Sequence, residues 1–99
     1  MSSFSVKQYI IDETYFYMNI HGLIDQGWAI KINNSKSTLG LCDHDNRIIT
    51  ISQKNYYIDG ELRDTILHEI AHAIAGYENK HNKIWKNIAQ HIGCAPKAC

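Results

Sequence analysis

One predicted helix constrains the rest of this chain. Leu62, Ile66, Ile70, Ala73 and Ile74 recur at helical spacing, Asp59 stands where a cap is expected, and Gly76 supplies a stop. Inside that helix lies His68-Glu69-Ile70-Ala71-His72, an H-E-x-x-H pattern. Four residues of α-helix rise about 6 Å and pass one full turn by about 40°, so the two imidazoles share a face. They flank the apolar stripe, where a helix can line a cleft. Two imidazoles so spaced suit two cis ligands of a tetrahedral zinc ion, with Zn–N near about 2.0–2.1 Å. Glu69 follows the first of them directly and can lean over an open coordination position as a general base.

A catalytic zinc takes three protein ligands and keeps a fourth position open. A third ligand from a Glu on a later helix has no candidate, because Glu78 carries the last carboxylate side chain. The longer pattern H-E-x-x-H-x-x-G-x-x-H needs Gly and His where this chain has Ala75 and Glu78. His81 remains, beyond a loop that Gly76 opens and at the start of the next predicted helix. Glu78 is the alternative, since zinc accepts carboxylate as well as imidazole. His91 reads as a helix-surface residue, and His44 and His21 as loop and helix-end residues.

Around that helix the pattern predicts a small α+β domain over residues 1–99. Asp12 can cap a first helix running to about His21, with Ser5 to Ile11 extending it backward and Gly22 ending it. Trp28 to Ile32 alternates like a half-buried strand. Leu39–Cys42 and Arg47–Ser52 flank Asp43-His44-Asp45-Asn46 as a hairpin, with Ile49 and Ile51 on one face and Ile48 on the other. Ile84, Trp85, Ile88, Ala89 and Ile92 form a last amphipathic helix, stopped by Gly93 and Pro96. The order helix, three strands, helix, helix implies a three-stranded, mostly antiparallel sheet.

Composition limits the functions open to such a domain. The formal charge is zero, which argues against a uniformly basic nucleic-acid binder and against an acidic tail. The balance is local rather than uniform. Asp59, Glu61, Asp64 and Glu69 make the metal helix acidic, and Lys80, Lys83, Lys86 and Lys97 make the C-terminal segment basic. Three cysteines, Cys42, Cys94 and Cys99, do not make a disulfide framework. No apolar run approaches the roughly 20 residues of a membrane span. Met1 to Gln8 lacks the basic start and apolar stretch of a secretory leader. The expectation is an intracellular protein, cytoplasmic or nucleoid/nuclear, with no membrane association.

The residues resemble the SprT-like family of zinc metallopeptidases over most of the chain. Leu67-His68-Glu69-Ile70-Ala71-His72-Ala73 matches the central motif. His81-Asn82-Lys83-Ile84-Trp85 is similar to the family's His-Gly-x-x-aromatic. Gly27-Trp28, then Leu39-Gly40-Leu41-Cys42, then Ile49-Thr50-Ile51-Ser52 follow the family's upstream order, as in its short members, many of them viral. The resemblance implies a minimal zincin-like core, with zinc bound by His68, His72 and His81 and Glu69 as the catalytic base. It implies a zinc-dependent endopeptidase acting on a protein or peptide substrate, with DNA-associated or DNA-crosslinked proteins as the substrates of several larger members. Asn82 departs from the family's Gly, and Ser37 and Thr38 stand where basic residues often occur. The pair Cys94 and Cys99 cannot close a four-ligand zinc ribbon, so both read as free thiols or as a remnant of one. Cys42, Trp28 and Trp85 read as core residues, Trp85 packing against the His81 loop. Tyr56, Tyr57 and Tyr77 are the candidates for stabilising an oxyanion. The alternative function is a non-catalytic, zinc-stabilised module that binds DNA or a protein through the basic C-terminal segment. Glu69 separates the two, because a structural zinc site has no use for it.

Overall fold

A computed structural model of the chain describes residues 4–58 and 60–94. The elements follow the predicted order: α1 Val6–Ile20, β1 Ala29–Asn33, β2 Gly40–Asp43, β3 Ile48–Ser52, α2 Glu61–Ala75 and α3 Lys83–His91, with a short 3-10 helix at Gln53–Tyr57. The fold is α+β, with three α-helices and one three-stranded sheet.

The first helix starts earlier than Asp12. Ser5 is its cap, its hydroxyl accepting the Gln8 amide at 3.1 Å. Asp12 instead lies inside the helix and accepts from the Gln8 side chain at 2.8 Å. Packing decides between two chemically competent caps: Ile10, upstream of Asp12, is wholly buried and needs the helix already formed. Gly22, at φ +79°, lets the chain leave the helix end.

The sheet is mixed, which corrects the mostly antiparallel expectation. Its order is β1-β3-β2. The β2–β3 hairpin is antiparallel, pairing Cys42 with Ile49, whereas β1 runs parallel to β3, pairing Ile30 with Ile49. The chain passes from β1 to the far edge and returns through the middle, so β3 runs with β1 and against β2. As the central strand, β3 is buried from Ile49 to Ser52, not on one face alone.

The core lies between this sheet and the helices. Ile10 and Met18 of α1, Ile49 and Ile51 of β3, and Ile66, Leu67, Ile70 and Ala71 of α2 are buried together with Trp85 and Ala89 of α3. The predicted stripe on α2 is shifted. Ile66 and Ile70 are central, Ile74 is 41% exposed, and Leu67 and Ala71 join the core. α2 is buried on more than one side because it packs against α1, β2, β3 and α3 at once. Asn55 locks this arrangement near the site. Its amide donates to Leu39 O at 2.9 Å and Ser52 O at 2.8 Å, and its carbonyl accepts from Thr65 Oγ1 at 2.7 Å. It thereby ties the start of β2 to the middle of α2, with its polar atoms satisfied in a buried position. Among the described residues, no helix is long and apolar enough to cross a membrane.

Candidate metal centre

His68, Glu69 and His72 are all carried by α2. Its cap position is Gly60, in a left-handed conformation with no side-chain cap, while Asp59, the predicted cap, lies outside the described residues. Glu61 and Asp64 in the first turn complement the helix dipole. At the other end Gly76, at φ +92°, breaks the helix as expected.

The return to α3 is held by a chain of amide contacts. Asn79 Nδ2 donates to Ala75 O at 2.7 Å, satisfying a carbonyl that the helix end leaves open. Asn82 Nδ2 donates to Asn79 Oδ1 at 2.8 Å, and Asn82 Oδ1 accepts the Trp85 amide at 3.1 Å as the cap of α3. Asn82 is thus a working cap. His81 sits inside this brace at φ +54°, a left-handed conformation uncommon outside Gly but tolerated by His better than by branched residues.

The result is a convergence of three rings. His81 Nε2 lies 2.9 Å from His72 Nε2 and 3.2 Å from His68 Nε2. A tetrahedral ion with bonds of about 2.0–2.1 Å separates neighbouring donors by about 3.3–3.4 Å, so the donor set fits zinc in number and type, and a small outward shift of His81 brings its 2.9 and 3.2 Å separations to the spacing the ion needs. Among the described residues these three form the one group able to hold a metal ion, and Glu78 is not in it. Burial, with the nearby His68 and His81, lowers His72 to about 4, so its ring is neutral and able to ligate at neutral pH.

Glu69 is buried beside the triad, and burial pushes its carboxyl up to about 7. The backbone of β2 lies directly against it. A Cβ at Gly40 would come 2.7 Å from Glu69 Oε2 and 2.8 Å from Thr65 Cγ2, so the strand approaches only because residue 40 has no side chain.

A cleft of about 440 Å³ opens onto His68, Glu69, His72 and His81 and is walled by Gly40, Cys42, His44 and Tyr77. His44 is the residue the sequence reading missed. Its turn folds over the cleft, and its ring meets Trp28 and Tyr77 edge-on at 6.0 and 5.9 Å. Nothing in a four-residue polar turn signals this. Gly40 did carry a signal: an isolated Gly inside a strand pattern marks a close backbone approach. Cys42 is half-buried on the cleft wall rather than in the core, and its thiol is pushed up to about 12 by burial and then by Glu69.

The other expected residues sort clearly. Tyr77 lines the cleft, with Lys80 Nζ 4.6 Å from its ring centre. Tyr56 and Tyr57 stand elsewhere, Tyr56 forming an aromatic group with Phe4 and Tyr9 at 5.6 and 5.8 Å. His21 caps the end of α1 and His91 lies in the last turn of α3. Lys83 and Lys86 are exposed on α3, Cys94 is buried, and Lys97 and Cys99 fall outside the described residues. Trp85 is wholly buried.

No curated protein matches this sequence. The family model described as SprT-like matches residues 11–99, which takes in every element from within α1 onward and the whole of the histidine cluster. By that match the chain belongs to the SprT-like family.

Proposed function

We propose that this chain is a zinc-dependent endopeptidase. The observation that carries the reading is the convergence of three imidazoles beside a buried carboxylate on one cleft. A purely structural zinc is enclosed by four protein ligands, whereas three histidines leave a position open. His68, His72 and His81 are the ligands and Glu69 is the base. When bound, zinc supplies Lewis-acid polarisation of the scissile carbonyl and lowers the pKa of a water.

The remaining chemistry belongs to the chain. A carboxyl titrating near 7 suits a group that takes a proton and then returns it to the leaving amine at neutral pH. Of the three candidate tyrosines Tyr77 alone lines the cleft, which supports it as the hydroxyl donor to developing negative charge. β2 is an edge strand beside Glu69, and an extended peptide adds to such an edge through main-chain hydrogen bonds. The substrate is a protein or peptide acted on inside the cell. Lys80, Lys83, Lys86 and Lys97 offer phosphate contacts that favour DNA-associated substrates.

Glu69→Gln tests the reading. The variant is expected to keep one zinc per chain and to lose about a thousandfold in peptide cleavage, the range for a positioned general base. Undiminished cleavage by the zinc-loaded variant would refute the mechanism and leave a metal-stabilised binding module.

A further inference from the structure

Trp85 touches every member of the triad. Its ring centre lies 4.7 Å from that of His68, 5.0 Å from His72 and 4.6 Å from His81. The His72 ring is nearly stacked on it at 28°, while His68 and His81 meet it at 63° and 75°. Three rings in three different attitudes meet one indole.

That indole comes with a penalty. Trp85 is fully buried, and its Nε1–H has no hydrogen-bond partner among the described residues. A buried donor without a partner loses its hydration for nothing in return. A Phe or Leu would fill a core position without that loss. The breadth of the indole is what they lack, and breadth is what a common floor for three imidazoles requires.

Two members of the triad, His72 and His81, show no protein partner of the kind that usually fixes ring orientation among the described residues. A ligating imidazole is commonly held by a hydrogen bond at its other nitrogen. For His72 and His81, the ring hydrogen bonds among the described residues run between Nε2 atoms, and no protein group among them meets Nδ1. The indole contact holds these rings instead. Trp85 is coupled to His81 through the backbone as well, because its amide is the one Asn82 caps.

We propose that Trp85 is the positioning residue of the metal centre, its indole setting the angles of all three imidazoles so that the site is formed before the ion arrives. This rests on the triad being the zinc site. The test is zinc affinity of the full chain, measured against a competing chelator, beside the urea midpoint of the metal-free protein. Trp85→Phe is expected to weaken zinc binding about ten- to hundredfold, as loss of a ligand-orienting partner does. Its urea midpoint is expected to change little, because removing the unpartnered N–H offsets the smaller ring. Cobalt substituted into the variant is expected to show altered visible absorption bands.

Wild-type zinc affinity and cobalt spectrum in Trp85→Phe would overturn the proposal alone. An affinity loss no larger than the loss of folding stability would also overturn it, by reducing Trp85 to a core residue. A wild-type chain that binds no zinc would instead overturn the metal-site reading beneath it. Should Trp85→Phe not fold, Trp28→Phe leaves Trp85 as the single indole. Its emission is then expected to change in step with zinc binding, and constant emission would refute the contact.

Discussion

The two walls of the cleft are built by opposite means. One wall, made by α2, the 76–82 connection and α3, is braced: Asn79 and Asn82 fix the return, and a buried indole underlies three rings. The other, made by β2 and the turn after it, is spare. It presents a glycine, a half-buried thiol and a half-buried His44, with the exposed Tyr77 across from them. The braced wall orients donors toward an ion. The spare wall leaves room and polar groups for something that must enter and leave. On the proposed reading the braced wall carries both the ligands and the base, while β2 and its turn shape the space in front of them, so substitutions in the two walls should fail differently.

The largest effect belongs to the braced wall. His81→Ala removes one of the three proposed ligands and is expected to lower zinc affinity by more than about a hundredfold, beyond what loss of an outer partner costs. Cleavage goes with it. Glu78→Ala is expected to keep full zinc content, since Glu78 lies outside the converging group. Metal analysis after dialysis decides the pair, and zinc retained in His81→Ala but lost in Glu78→Ala would reverse the assignment.

The spare wall should lose turnover and keep metal. Gly40→Ala forces a methyl to within 2.7 Å of the Glu69 carboxylate, and the strand or the carboxylate must move. The expected cost is about 1–3 kcal/mol of stability, typical of overpacking, with a large fall in cleavage and unchanged zinc content. Zinc lost together with activity would show that the two walls are not separable. Tyr77→Phe, across the cleft on the 76–82 connection, is milder. It keeps the ring beneath Lys80 and against His44 and removes only the hydroxyl. A fall in kcat of about tenfold or more with KM unchanged is expected if that hydroxyl meets the developing charge. A change confined to KM would assign Tyr77 to binding.

The braced wall was also the more legible in the sequence. Two histidines one helical turn apart, a Gly to end the helix and a third histidine after the loop all follow from periodicity and ligand arithmetic. What local pattern does not hold is which strand neighbours which. β3 reads as a hairpin arm whether or not it also pairs with β1, so the parallel ladder was invisible. The same limit hid His44, whose role depends on where its turn lands. Ser5 and Asp12 were both sound caps, and only the burial of Ile10 chose between them. Trp85 was legible as core and as a neighbour of the His81 loop. Its contact with all three rings needed the packing of α3 on α2.

The smallest effect lies where the walls meet, at Glu69 and His72 in the metal-free protein. Burial raises Glu69 from 4.5 to about 7, so the stability it contributes is full below 4.5 and is lost as pH rises through 7. Burial and its neighbours lower His72 from 6.5 to about 4, so its contribution is full above 6.5 and is lost as pH falls through 4. Between about 4.5 and 6.5 the two slopes oppose, and the wild-type urea midpoint should be nearly flat there. Glu69→Gln removes one slope. The metal-free variant should lose stability steadily on acidification below 6.5 and should exceed the wild type above 7, where a buried carboxylate is no longer present. Parallel midpoint curves for the two proteins would mean that Glu69 is hydrated in the metal-free state and that the spare wall is open to water as far as the base.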